Sequence, residues 1–187
     1  MKQYTEKLLG LLEKGDGASP KYARVKVDFE AKMKARKDTY YGRTKSALAG
    51  FAKRAAELGI RLGVENRQAL EELPVDADFS ALFAEASSSV LAYWHDTGHA
   101  QIKQHLGFLQ HTDHLRLLAP HLAGFHIHDV LYPGRDHCVP GTGTVDFAAL
   151  KPFVEPRQIK VFEFSPSLTR DEALAGVDYI KRLWPGD

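Results

Sequence analysis

Four short apolar runs in this sequence each end on a side chain able to bind a metal ion, and they recur at a nearly constant interval. Leu62-Gly63-Val64 leads into Glu65, Val90-Leu91-Ala92-Tyr93-Trp94 into His95-Asp96, Gly124-Phe125 into His126-Ile127-His128-Asp129, and Lys160-Val161-Phe162 into Glu163. From Glu65 to Asp96, on to His126 and on to Glu163, the steps are 31, 30 and 37 residues. One strand, one crossover helix and two loops need about thirty residues. A repeat of that length lays the runs down as parallel strands and puts all four side chains at the same end of the sheet, where α/β folds build their sites. Two glutamates, an aspartate and a histidine meeting there describe a site for a divalent cation.

The rest of the pattern supplies the helices that such a sheet requires. Tyr4, Leu8, Leu11 and Leu12 form an apolar stripe that stops at Gly15-Asp16-Gly17, and Gly15 to Pro20 is the best candidate for a mobile loop. Asp28 to Leu58 reads as one long or broken helix with a face of Leu48, Phe51, Ala52, Ala55 and Leu58, closed by Gly59. Asp78 can cap a short helix through Phe83, further helices are expected after Gly98 and from Thr112-Asp113 to Pro120, and Asp146 can cap Phe147 to Phe153. Thr169 and Glu172 have the spacing of a capping box for the last helix. The expected fold is therefore α/β, with about four parallel strands late in the chain behind N-terminal helices. Four such strands do not close a barrel, which takes eight. Their edges are left open, to be covered in part by the N-terminal helices or by self-association.

At 187 residues the chain suits a single domain spanning 1–187. A net charge of +1 gives no electrostatic reason to expect nucleic acid or an anionic membrane as partner. No apolar run reaches the length of a membrane span, and the first residues begin no secretory signal. The single cysteine, Cys138, excludes an internal disulfide and fits a cytoplasmic location. All nine histidines lie between positions 95 and 137. His105, His111, His114 and His121 fall in helical or loop sequence and are expected at the surface, whereas His95, His99, His126, His128 and His137 flank strand ends.

Three carboxylates and one imidazole suit Mn²⁺, Mg²⁺, Co²⁺ or Zn²⁺ without choosing among them. Such an ion polarises a carbonyl or hydroxyl or activates water, and carboxylates beside it can carry protons to and from carbon. Competing readings stay open for several residues. Asp96 can cap the following helix, Asp129 can be a turn residue or a supporting partner, and Gly141-Thr142-Gly143 is either a plain turn or an anion cradle. Strand alternation allows at most one of His126 and His128 to face the site. Trp94 and Phe164 are expected in the core. Nothing near Cys138 activates it as a nucleophile.

Taken in order, Leu62-Gly63-Val64-Glu65-Asn66-Arg67, His95-Asp96-Thr97-Gly98-His99, His126-Ile127-His128-Asp129, His137 with Pro140-Gly141-Thr142-Gly143-Thr144-Val145-Asp146-Phe147, and Phe162-Glu163-Phe164 resemble the xylose isomerase-like superfamily of TIM barrels. That group holds sugar isomerases and epimerases and the endonuclease IV-like enzymes. The resemblance runs from about residue 40 to the C-terminus and implies a partial (β/α)8 barrel. It also implies one divalent ion held by Glu65, Asp96, His126 and Glu163, with a small sugar-like substrate met by His99, Arg67 and His137. In the epimerase branch Glu65 and Glu163 would be the acid/base pair that moves a proton beside a carbonyl. In the nuclease branch an aspartate precedes the position of His137 by two residues, where this sequence has Arg135. The strands that complete the barrel in family members are missing before residue 40. The chain is accordingly expected to be a fragment or a short form that is incomplete as a catalyst alone.

Overall fold

The computed structural model describes residues 3–85 and 90–184. Helix α1 (Gln3–Glu13) is followed by the 39-residue helix α2 (Pro20–Leu58). The α2 helix begins eight residues before the expected Asp28. Its signals are local: Ser19 accepts a hydrogen bond from the Tyr22 N–H at 3.1 Å, Pro20 occupies the first turn, and Gly59 ends the helix at φ 65°. The segment expected to be mobile is tied down by turns, with the Asp16 N–H on Leu11 O and the Ser19 N–H on Asp16 O, both at 2.9 Å. Alternating elements follow: β1 (Leu62–Glu65), α3 (Phe79–Glu85), β2 (Leu91–Asp96), α4 (Thr97–His105), α5 (His111–Leu118) and β3 (Leu122–Ile127). A short antiparallel pair that the sequence did not suggest, β4 (Asp129–Leu131) and β5 (Arg135–Cys138), precedes α6 (Phe147–Leu150), β6 (Ile159–Phe162) and α7 (Arg170–Leu183).

The four expected strands form one parallel sheet in the order β1-β2-β3-β6. Consecutive strands are neighbours, as right-handed crossovers dictate. Alternation along each strand then separates two faces. Val64, Leu91, Tyr93, Phe125, Ile127 and Phe162 point to the helices and belong to a core shared with α3, α5, α6 and α7. Gly63, Trp94, Gly124 and Val161 lie on the opposite face. There Trp94 lies over both glycines, so a Cβ on Gly63 would stand 3.2 Å from the indole and one on Gly124 2.7 Å from it.

A second core joins α1 and the first half of α2 to α4 and the β4–β5 hairpin through Leu8, Leu11, Tyr22, Phe29, Ile102, Leu106 and Val130. Thr5 locks α1 to the loop after β1, donating to Glu71 at 2.6 Å and accepting from the Leu70 N–H at 2.9 Å. The far end of α2 lies along β1. Leu48, Ala52 and Ala55 are buried or packed on the core there. Phe51 and Leu58 of the same expected face stay 65% and 53% exposed, because no further strand stands beside β1 to meet them. The basic residues also prove unevenly placed: α2 carries eleven Lys or Arg against four Asp or Glu, although the whole chain is near neutral. Among the described residues, no helix is long and apolar enough to cross a membrane.

Candidate metal centre

Glu65 and Asp96 are the last residues of β1 and β2, His126 sits one residue from the end of β3, and Glu163 follows β6 directly. Parallel pairing in the observed register brings one ligand atom of each within 4.8 Å of the others. His126 Nδ1 is the hub, 2.7 Å from Glu65 Oε1, 3.3 Å from Glu163 Oε2 and 3.7 Å from Asp96 Oδ2. The Glu65 hydrogen bond, helped by the nearby carboxylate charges, holds the His126 imidazole above its ordinary pKa. A proton on His126 thus serves as counter-charge to three converging carboxylates, and a divalent cation on the same atoms would serve the same purpose with twice the charge. The donor set fits such an ion.

Asp96 is wholly buried and performs two tasks that the sequence posed as alternatives. Its Oδ1 accepts the His99 N–H at 2.7 Å, capping α4, while Oδ2 faces His126. Burial by itself would raise the Asp96 carboxyl. The hydrogen bond from His128 and the charges of His99 and His128 outweigh that and hold it at about 2.

His128 corrects the expectation from alternation. Because β3 ends at Ile127, His128 is no longer bound to the strand's two-residue period, and its Nε2 comes 3.1 Å from the Asp96 carboxylate. Its other nitrogen, Nδ1, accepts the His137 N–H at 2.9 Å. The two rings stack 4.4 Å apart and 3° from parallel. Gly98 makes room for this arrangement, since a Cβ there would fall 2.0 Å from His128 Cε1.

His99 and His137 both reach the cluster's rim. His99 Nδ1 bonds the Asn66 carbonyl at 2.9 Å and stands 3.7 Å from Asp96 Oδ1; His137 Nε2 is 3.9 Å from Glu163 Oε1. His137 is held in the left-handed region at φ 54°, unusual for a residue with a side chain. Asp136 turns instead to His137 Nδ1 and Gln68, and Arg135 is exposed. Arg67 lines the same cleft of about 260 Å³ with Gln68, Glu72, His99, His126 and the two glutamates, its guanidinium 3.4 Å from Glu72.

One open alternative is resolved and one further expectation is revised. Asp129 is buried and gathers the N–H groups of Val130, Gly141, Gly143 and Val145 at 2.8–2.9 Å, so the anion cradled by the Gly141-Thr142-Gly143 turn is the protein's own carboxylate. His111 and His114, expected at the surface, are 4% and 9% exposed. They lie on the face of α5 that also buries Leu115 and Leu118, turned toward β2. There His114 Nε2 is 3.0 Å from the Tyr93 hydroxyl, which is 2.8 Å from His95 Nδ1, and His95 Nε2 is 2.9 Å from His111 Nε2. Burial drives the pKa of His95 well down and those of His111 and His114 to about 3 and about 4, so all three are neutral.

No family model matches the sequence, and no curated protein matches it as a relative. Comparison with solved structures decides the fold. A D-tagatose 3-epimerase-like protein superposes with a TM-score of 0.60 at 17% identity, over 74% of this chain and 52% of its own. The fold is that of the xylose isomerase-like TIM barrels. A candidate xylose isomerase from Rhodospirillum rubrum matches in the same way, with a TM-score of 0.61 and 21% identity over 82% of this chain and 56% of its own. The chain thus spans about half the length of these two solved structures. Its open sheet edges and the exposed face of α2 belong to a partial barrel.

Proposed function

We propose that this chain carries the metal centre of a divalent-metal-dependent sugar isomerase or epimerase, in which a proton is moved beside a carbonyl of a small polyhydroxylated substrate. The convergence of Glu65, Asp96, His126 and Glu163 on one point at the carboxyl ends of four parallel strands carries the reading. Its ligands would be these four residues and its metal Mn²⁺, Mg²⁺, Co²⁺ or Zn²⁺. When bound, the ion would polarise the substrate carbonyl and stabilise the negative charge that builds on its oxygen.

The chain's own residues define the rest. Glu65 and Glu163 come from opposite edges of the sheet and both reach His126 Nδ1. A carbon held between them can lose a proton to one carboxylate and regain it from the other, which is the requirement for inversion or for transfer to the neighbouring carbon. His99, Arg67 and His137 stand at the rim where substrate hydroxyls would meet donors. The activity is proposed for the completed barrel, since β1 and β6 are edge strands among the described residues. A cytoplasmic location belongs to the same proposal.

Hydrolysis of a phosphodiester, the alternative within this fold, is less well supported. Arg135 stands where that chemistry uses a carboxylate, and Asp136 is engaged by Gln68 and His137. Calorimetry with Mn²⁺, Co²⁺ and Zn²⁺, followed by proton exchange of ketoses in deuterated water, tests the proposal. Tight binding of one ion per chain is expected, with exchange lost and metal retained on Glu163→Gln. No binding of any of the three ions would overturn it.

A further inference from the structure

We infer that Asn66 is a positioning residue that sets where Asp96 presents its ligand atom and how His99 faces the rim, an inference that rests on the metal-centre reading. Asn66 is wholly buried directly after Glu65, where the ladder between β1 and β2 ends with Glu65 opposite Trp94. Beyond that point β2 still runs beside β3, with Asp96 opposite His126, but its β1 side has no strand residue to pair with Asp96. The Asn66 side chain supplies the pairing. Its Oδ1 accepts the Asp96 N–H at 2.7 Å, and its Nδ2 donates to Asp96 O at 2.9 Å. A side-chain amide offers the same donor and acceptor as a peptide group, so Asn66 extends the ladder by one residue without extending the strand.

The same residue aims His99. The Asn66 carbonyl can only accept, so His99 Nδ1, 2.9 Å away, carries a hydrogen, and in the neutral ring Nε2 is the nitrogen left to accept. From behind, the Tyr93 hydroxyl meets Asn66 Oδ1 at 3.1 Å, and that hydroxyl is itself flanked by His95 and His114. The amide of Asn66 thereby fixes the main chain of the ligand Asp96, and its main-chain carbonyl orients the rim ring of His99. Asn66 offers the metal no ligand atom, since both ends of its amide are occupied.

Two measurements decide this. In the wild-type protein, NMR correlation through hydrogen bonds is expected to link the Asp96 amide nitrogen to the Asn66 side-chain carbonyl carbon. In Asn66→Ala, calorimetry is expected to show Co²⁺ binding weakened by about tenfold to a hundredfold, the usual effect of removing a group that orients a ligand. The visible bands of bound Co²⁺, which report coordination geometry, should shift as well. Gln158→Ala is the control, because Gln158 is also buried and amide-bonded, to Phe153 O and the Glu155 N–H, but precedes β6 at the opposite end of the sheet. It should leave Co²⁺ affinity and bands unchanged. A folded Asn66→Ala protein with wild-type affinity and bands overturns the inference alone. So does absence of the coupling when couplings across β2 and β3 are seen, a test that holds even if the variant fails to fold. Failure of the wild type to bind Co²⁺ would sink the metal centre itself, and the positioning role with it.

Discussion

Acidification from pH 6.5 to 5 should strip several kcal/mol from the stability of this protein through histidines that take no part in the proposed chemistry. His111 and His114 are buried against Tyr93, His95 and Gln101, and their pKa values are held at about 3 and about 4. In the unfolded chain each returns to about 6.5. The unfolded state therefore binds more protons across this window, and stability falls as pH falls. Each unit below the unfolded value costs about 1.4 kcal/mol per histidine kept neutral, or about 2 kcal/mol each at pH 5. Since the unfolded chain is already half protonated at pH 6.5, the two together give about 3 kcal/mol across the window, with His95 acting in the same direction, against a total of about 5–15 kcal/mol for an ordinary domain.

His105, also lowered by burial, adds to the loss, and the other shifted groups do not oppose it by much. His126 and His128 have raised values, so their contribution is complete below 6.5 and is lost only as pH climbs through their folded values. Asp96, held at about 2, loses its contribution only as pH drops below the ordinary carboxylate range. Urea unfolding at pH 6.5 and 5, followed by far-ultraviolet circular dichroism, measures the difference. Equal stabilities within about 1 kcal/mol, or NMR titration of His111 and His114 near 6.5, would refute the argument.

Three further outcomes are expected. Because the cation must displace the proton that Glu65 helps hold on His126, Co²⁺ affinity should fall about tenfold per pH unit below the raised pKa of His126; calorimetry in buffers of different ionisation enthalpy should count about one proton released, and none released would contradict it. Gly98→Ala gains about 1 kcal/mol of helix propensity but drives a Cβ to 2.0 Å from the buried His128 ring; repacking should win, for a net loss of about 2 kcal/mol in urea unfolding. Asp129→Ala leaves four main-chain N–H groups without their acceptor and should lower stability by about 3–5 kcal/mol, with faster hydrogen exchange at Gly141, Gly143 and Val145.

The parts of this architecture written locally in the sequence are the parts that reading it recovered. The apolar runs ending on Glu65, Asp96, His126 and Glu163 carry both strand and site, because the repeat length fixes parallel pairing and the strand period fixes the face. Ser19-Pro20, Gly59, Asp146 and the Thr169–Glu172 box likewise mark helix ends through contacts a few residues long. What escaped depends on partners far away in the chain. His111 and His114 look like polar surface residues until β2 supplies Tyr93 and His95, and His128 follows strand alternation until β3 stops one residue short of it. Asn66 was visible beside Glu65, but nothing in its neighbours announces that its amide pairs with a residue 30 positions on.

Trp94 backs the His126 ring from the open face of the sheet. The indole lies flat across the bare backbones of Gly63 and Gly124, with its face-to-edge neighbour His126 centred 5.3 Å away. Any side chain at Gly63 or Gly124 would push the indole, and through it the ring at the hub of the four converging residues.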